Sequence, residues 1–557
     1  MDKPISESAD YIIIGGGLAG CTLAARLHEG NPSLSIIILE AGPDIKGNPL
    51  TIAPLACFAA HYSELDYAYH TIPQKQLDNR FCYQAGAKAL SGGTAINYGT
   101  WTRGSAADYD DWAKQVGDDR WSYKSLLPYF RKVEHHFDLN GDPEAHGFHG
   151  PIHTASVTSS SPNRKYPLRE PTLAAWSKLG HKFNPDGNNG YPLGISELVE
   201  NWRDGKRQPA AQAYDLTGVQ ILTNTPAARV IITDSSSGKV VTGVLLVDGR
   251  TISAKKEVII SAGTYRTPQI LMLSGIGDPD ELSKYGISTT VANRAVGANH
   301  CDHLAVYQFW KLRHPSRGLA MGTPLWTDPG FFVGLPVDWI VSSQVPQQEL
   351  KNALEVDGDA NDTYGILHPL RLHLETITAY VPAGAQLMGV NVPVDGTHMG
   401  TITSNFSPTS RGRITLSSAN PLDAPVIDPN YNATATDRAI LRYGVREVLK
   451  LFLSTPEMLE VVESEVPPEG YRPLGLESTD EEVDARVRQV AGTLYHAAGT
   501  AGMGMGDKGV VDVECRVKGV KGLRVCDASV LPVNVGAHLQ VVVYAVAERV
   551  ADFMLGQ

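Results

Sequence analysis

The sequence predicts an α/β chain. One domain is built on a parallel sheet gathered from separated segments. A second carries a mainly antiparallel sheet with flanking helices. Three observations support this. An apolar run meets a glycine turn and a helix-like stretch in "YIIIGGGLAGCTLAARL", from Tyr11 to Leu27. Strand patterns return far downstream, in "ARVIIT", "VVTGVLLVDG", "TISAKKEVIISAG" and "GLRVCDAS". The stretch 303–400 is rich in aromatics and prolines, and "LRLHLETITAYV" alternates as sheet does. At 557 residues the chain is too long for one core. The first domain is expected from 1–150, 221–302 and 481–557, and the second from 151–220 and 303–480.

Tyr11 to Ile14 reads as a buried parallel strand. Gly15-x-Gly17-x-x-Gly20 follows, and "CTLAARL" has the small-residue face of a helix packed close to a strand. Such glycines permit a tight turn and let backbone N–H groups approach a pyrophosphate at the helix N-terminus. The next strand, "SIIILEAG", ends in Glu40, twenty residues past Gly20, where a carboxylate can accept from ribose hydroxyls. Alone, the glycine pattern is common in tight turns. With a strand before, a helix after and an acid closing the next strand, it reads as a Rossmann-like dinucleotide-binding unit. The pattern does not separate FAD from NAD, and Glu40 argues against NADP. "VVVYAVAERVADFML" near the C-terminus reads as a further helix.

Composition narrows the partners. Hydrophobic residues are 42% and charged residues 19%, an ordinary globular balance. A formal net charge of −12 disfavours nucleic acid and anionic membrane. The six cysteines form no CxxC pair and read as buried small apolar residues. No His/Asp cluster at metal spacing stands out, so no metal is expected. The N-terminus "MDKPISESAD" lacks a secretory pattern, and no apolar stretch is long enough for a bilayer. An intracellular, cytoplasmic protein is the expectation.

Three further segments sharpen the reading. "GTYRTPQILMLSGIG", Gly263 to Gly277, reads as a strand-to-helix junction, with Pro268 in a first helical turn and Gly275 and Gly277 breaking the helix. "AKALSGGTAINYGTWTRGSAADYDDW" is a glycine-rich loop. "TLYHAAGTAGMG" and "GLRVCDASVLPVNVGAHLQVVVYAVAERVADFML" carry His496, Asp527 and His538. All three resemble signatures of the glucose-methanol-choline (GMC) flavin oxidoreductases. The resemblance runs over essentially the whole chain and is weakest at about 150–200 and 310–400. There is one departure: Ser91 stands where the family has the first of two glycines, and Gly92 and Gly93 are shifted.

The resemblance implies FAD. Gly15, Gly17, Leu18, Ala19 and Gly20 would approach the diphosphate. Glu40 and Ala41 would take the ribose, and Val230 would meet adenine through its backbone. Gly92, Thr94, Asn97, Tyr98, Gly99, Ala262, Asp527, Ala528, His538 and Leu539 would complete the cofactor site. Ile96 occupies the place of histidine in members with a histidyl-linked flavin, so the FAD is expected to be non-covalent. The implied reaction oxidises an alcohol to an aldehyde or ketone, passing a hydride to flavin N5, with oxygen or another electron acceptor closing the cycle. His496 is then the base and His538 the partner of the developing alkoxide, with the reverse division open. His300 and His303, flanking Asp302, are read as making structural hydrogen bonds. Tyr98, Trp101, Phe331, Phe332 and Trp339 could line a pocket for a hydrophobic or aromatic alcohol. The alternative is a redox-neutral lyase or isomerase that keeps FAD as a structural element. A non-enzymatic flavoprotein is disfavoured by the retained histidine pair.

Overall fold

The computed structural model describes residues 7–236 and 238–556. Its first sheet runs in the order Gln220–Leu222, Ile36–Leu39, Ser8–Ile14, Thr251–Ile260, Gly238–Leu246, Ala227–Ser235, with Leu523–Val525 also on Thr251–Ile260. The first four strands and Leu523–Val525 pair in parallel. The last two add as an antiparallel meander. Ile12, Ile13 and Ile259 are fully buried, as expected of a strand covered on both faces. Helix Leu18–Gly30 returns the chain to Ile36–Leu39. Its small residues are required by contact: a Cβ at Gly20 would lie 2.1 Å from the Gly15 carbonyl oxygen. Helix Gln540–Leu555 packs beside it, and Arg26 reaches the fully buried carboxylate of Glu548 at 2.9 Å.

The second sheet is antiparallel throughout, in the order Val462–Val466, Leu304–Leu312, His398–Asn405, Leu374–Ala379, Trp339–Ser343, Gly194–Glu197. Helices Ala435–Ser454 and Asp480–Val490 pack against it. Tyr307, Ile402 and Ile377 share one row across three strands and line the central cavity. Leu374–Ala379, whose sequence alternates, is buried at every position. Two of its polar side chains bond protein groups, Glu375 to His538 and Thr376 to Thr403.

The domain limits shift at both ends of the inserted segment. Ala210 and Tyr214, expected in the second domain, pack into the first core. The 481 boundary falls inside helix Asp480–Val490, whose Val483, Val487 and Val490 belong to the second core, and Ala491–Thr493 pairs with Leu304–Val306. Helix capping at Thr479 and an apolar stripe facing Leu304–Leu312 decide this. Cys57, Leu77 and Cys82 likewise sit in the second core. All six cysteines are buried and unpaired. Among the described residues no helix is long and apolar enough to cross a membrane.

Helix Gly263–Leu273 corrects another detail. Pro268 is its sixth residue, not part of its first turn. The carbonyl that loses its donor is Thr264, and it accepts from Thr500 Oγ1 at 2.6 Å instead. Gly275, at φ +80°, then closes the helix.

Candidate active site

A cavity of 370 Å³ opens between the two sheets, from the glycine turn to a cluster of histidines. Its lining includes Leu18, Ala19, Thr94, Asn97, Asp527 and His538. Helix Leu18–Gly30 has no side-chain cap at Gly17, so its first-turn N–H groups face the groove unclaimed. Gly92 comes so close that a Cβ would lie 2.7 Å from Gly17 Cα. Ser91 follows the glycine-like path at φ +82°, a strain of about 1–3 kcal/mol for a non-glycine residue. Its Oγ offsets part of this by accepting from Ala211 N–H at 3.0 Å. The departure at Ser91 therefore leaves the loop against the turn.

Glu40 is buried and holds the turn itself, accepting from Gly16 N–H at 2.8 Å and Gly42 N–H at 2.7 Å. Burial pushes its pKa up to about 7 against those bonds. A carboxylate has about four lone-pair sites, so capacity for ribose hydroxyls remains. Asp527 ties the C-terminal segment to helix Gly263–Leu273. It accepts from Gly263 N–H at 2.9 Å, Thr267 Oγ1 at 2.6 Å and Ser529 N–H at 2.8 Å. Ala528 and Leu539 line the cavity beside it. Ser261 Oγ, also on the lining residues, is buried with no protein partner. The open helix end, the glycine approach and this orphaned hydroxyl suit a long polar cofactor such as FAD. Val230, on strand Ala227–Ser235, donates its N–H to Ser274 Oγ at 2.9 Å.

The two predicted catalytic histidines meet. The His496 and His538 rings stand edge to face with centroids 4.8 Å apart, and both line the cavity. They arrive from opposite directions. His496 follows Tyr495, which has φ +64°, a strained backbone for an aromatic residue. The strain is held by Tyr495 N–H on Thr493 Oγ1 at 2.6 Å and His496 N–H on Asp302 Oδ1 at 2.9 Å. Asp302 also accepts from Thr493 Oγ1 and Tyr431, and its burial raises its pKa to about 6. His538 sits just before helix Gln540–Leu555, with its N–H on Thr102 Oγ1 at 2.8 Å.

Two residues that sequence reasoning did not place in the site complete it. His303 Nδ1 lies 2.9 Å from His496 Nδ1, and its ring stacks on Phe406. Glu375 Oε1 lies 2.8 Å from His538 Nε2, with the Glu375 side chain 2% exposed. Burial, then the charge of His538 and that of His303, hold His496 well below the ordinary imidazole pKa. His538 instead has an anionic partner. One ring is thus kept neutral, and the other is held on a buried carboxyl group. His303 was expected to make a structural bond, and its bond is to the active-site ring. His300 makes no side-chain hydrogen bond, and burial lowers its pKa to about 3.

Of the aromatics proposed for the pocket, Tyr98 lines it and the others do not. Trp101 is fully buried with Nε1 on Glu134 Oε1 at 3.3 Å. Phe331 packs on Tyr166 and Trp326, Phe332 is exposed, and Trp339 donates to the Arg169 carbonyl. The expectation that no metal-spaced cluster exists is also corrected. Glu134, His136 and His146 converge with their ligand atoms within 4.8 Å. The cluster is bonded to neighbouring charges: Arg103 pairs with Glu134 at 2.6 Å, and His146 bonds Glu134 at 2.9 Å and Asp186 at 3.1 Å. Burial opposes the charge on His146, but Asp186 and Glu134 raise its pKa to about 9. The arrangement is a buried charge network.

Comparison with known proteins agrees with this geometry. Residues 9–305 and 408–547 match the N-terminal and C-terminal regions of the GMC oxidoreductase family. The chain is 41% identical to the GMC-type oxidoreductase acuG of Aspergillus aculeatus, over 99% of this chain and all of that one. It is 32% identical to human mitochondrial choline dehydrogenase, over 99% of this chain and 91% of that one. Among solved structures it superposes on a formate oxidase variant from Aspergillus oryzae with a TM-score of 0.88 and 29% identity, covering 99% and 98% of the two chains. A two-sheet flavoprotein fold with a histidine pair facing the cofactor groove defines an FAD-dependent oxidoreductase. The chain belongs to the GMC oxidoreductases.

Proposed function

We propose that this protein oxidises a small, neutral, largely apolar alcohol to an aldehyde or ketone, with non-covalent FAD. The observation that carries this is the His496/His538 pair at the cavity, one ring neutral and one backed by Glu375. Bound FAD supplies the two-electron acceptor for the hydride of the carbinol carbon. The protein supplies the proton chemistry. His496, neutral, takes the hydroxyl proton at Nε2, the ring nitrogen not facing His303. That role needs its own proton on Nδ1, donated to His303 Nδ1. His538, held at Nε2 by Glu375, donates a hydrogen bond to the developing alkoxide. Gly15, Gly17, Leu18, Gly20, Glu40 and Asp527 would hold the cofactor.

The lining of the cavity supports the substrate class. Among the described residues it includes no Lys, Arg or Glu, and it is dominated by Phe, Tyr, Leu, Ile, Val and Ala. The apolar share of this lining favours a substrate with few hydroxyls and no net charge. Ile96 lines the same cavity and cannot bond covalently to flavin. Acid precipitation is therefore expected to release the yellow cofactor into the supernatant; colour kept in the pellet would refute non-covalent binding.

The test of function is anaerobic mixing with benzylic, allylic, aliphatic and sugar alcohols while the visible flavin band is followed. Bleaching by the apolar alcohols, with sugars inert, is the expected result. A flavin bleached by dithionite and by none of the alcohols would replace this reading with the redox-neutral one.

A further inference from the structure

One wall of the cavity holds a hydrogen-bonded chain that proton abstraction does not use. Asp66, buried, accepts at Oδ1 from Ala68 N–H at 2.9 Å and Gly86 N–H at 2.9 Å. At Oδ2 it accepts from Tyr62 N–H at 3.0 Å and from the Tyr83 hydroxyl. The Tyr83 oxygen lies 2.9 Å from His61 Nδ1. His61 Nε2 lies 2.6 Å from the Tyr98 oxygen. His61 and Tyr98 line the cavity, and Tyr83 does not.

The direction of every bond in this chain follows from its first member. A carboxylate only accepts, so the Tyr83 proton points at Asp66. The Tyr83 oxygen can then only accept from His61, which places the imidazole proton on Nδ1. Burial lowers the pKa of His61, with the Asp66 charge opposing, so the ring is neutral and carries one proton. Nε2 is therefore an acceptor, and the Tyr98 O–H donates to it. The oxygen of this cavity-lining residue is left with lone pairs alone for any further partner. It sits among rings, with Phe58 edge-on at 5.4 Å and Tyr495 at 5.4 Å from His61. In such surroundings a hydrogen bond is stronger than in water, and an oxygen facing those lone pairs is repelled.

We propose that Tyr98, oriented by the positioning residues His61, Tyr83 and Asp66, selects alcohols that carry a second hydrogen-bond donor, a hydroxyl or phenol, over isosteres that lack one. This rests on the alcohol-oxidation reading above. It goes beyond it by naming the substituent that the cavity recognises.

The test compares the ortho, meta and para hydroxybenzyl alcohols with the methylbenzyl alcohols of matching shape. The readout is the ratio of kcat/KM within each pair, so that general damage to a variant cancels. For at least one isomer the unmodified protein is expected to favour the hydroxyl by about tenfold or more, the usual scale of one desolvated hydrogen bond. In Tyr98→Phe the ratio should fall to about that of a ring with no acceptor, close to one. In Tyr83→Phe it should fall severalfold although no cavity atom changes, because His61 is freed to carry its proton on Nε2 and Tyr98 can turn its O–H inward. A merely structural Tyr83 would not move this ratio. Titrating phenol against toluene into the oxidised holoenzyme, read by the flavin absorption, checks the same preference without turnover. A ratio near one for all isomers, or a preference that survives Tyr98→Phe or Tyr83→Phe, would overturn the proposal. Failure of both alcohol series to bleach the flavin would instead sink the alcohol reading, and the phenol titration would still decide the role of Tyr98.

Discussion

Replacing His496 with alanine is expected to leave the protein yellow and to slow anaerobic flavin reduction by about a hundred- to ten-thousandfold, the range of a positioned general base. That corresponds to about 3–5 kcal/mol of barrier, at 1.36 kcal/mol per tenfold. The side chain touches none of the groups that hold the glycine turn. Its own anchoring runs through its backbone N–H on Asp302, which alanine retains. The loss should therefore fall on the reduction rate and not on cofactor content. Because burial keeps His496 below the ordinary imidazole pKa, the base is already deprotonated at neutral pH. The acid limb of the wild-type rate should lie below pH 6.5, the ordinary imidazole value. Near-normal reduction by His496→Ala would move the base to His538, the division that the pair also permits.

The second large effect is expected at Glu375. It is buried on a strand of the antiparallel sheet, and His538 Nε2 is its hydrogen-bonding partner at 2.8 Å. Glu375→Gln keeps the shape and replaces the carboxyl partner of His538 Nε2 with an amide. A hydrogen bond to a charged group contributes about 1.5–3 kcal/mol, so reduction should slow by about ten- to a hundredfold. A purely structural role would show as lower thermal stability with an unchanged reduction rate, and that outcome would remove Glu375 from the chemistry.

Much of this was legible in one dimension because local rules are strong there. The strand, glycine turn and helix from Ser8 to Gly30 obey sterics that only glycine satisfies. The small-residue helix face, the Glu40 strand end and the C-terminal helix are read directly from residue types at fixed spacing. The pair His496 and His538 was legible only through resemblance, since nothing in 42 residues of separation says that two rings touch. Readings that relied on local pattern alone fared worse. Pro268 looked like a helix start because proline favours first turns; the hydroxyl of Thr500, distant in sequence, makes it tolerable deeper in the helix. Trp101 and Trp339 were offered as pocket candidates although most aromatics in such stretches are core, and core packing claimed both.

The sequence by itself determined the strand–glycine turn–helix unit and the two-domain α/β class, and through resemblance it pointed to the two histidines. Only the tertiary structure decided what surrounds those histidines. His303, Glu375 and Asp302 lie more than a hundred residues away from the histidines they contact. The direction of the Asp66–Tyr83–His61–Tyr98 chain is likewise invisible in sequence. Turns and helices are set by bonds between near neighbours. The charge and tautomer of a buried ring are set by whichever donor or acceptor folding brings within 3 Å of it, and that depends on how the two sheets close over the cavity.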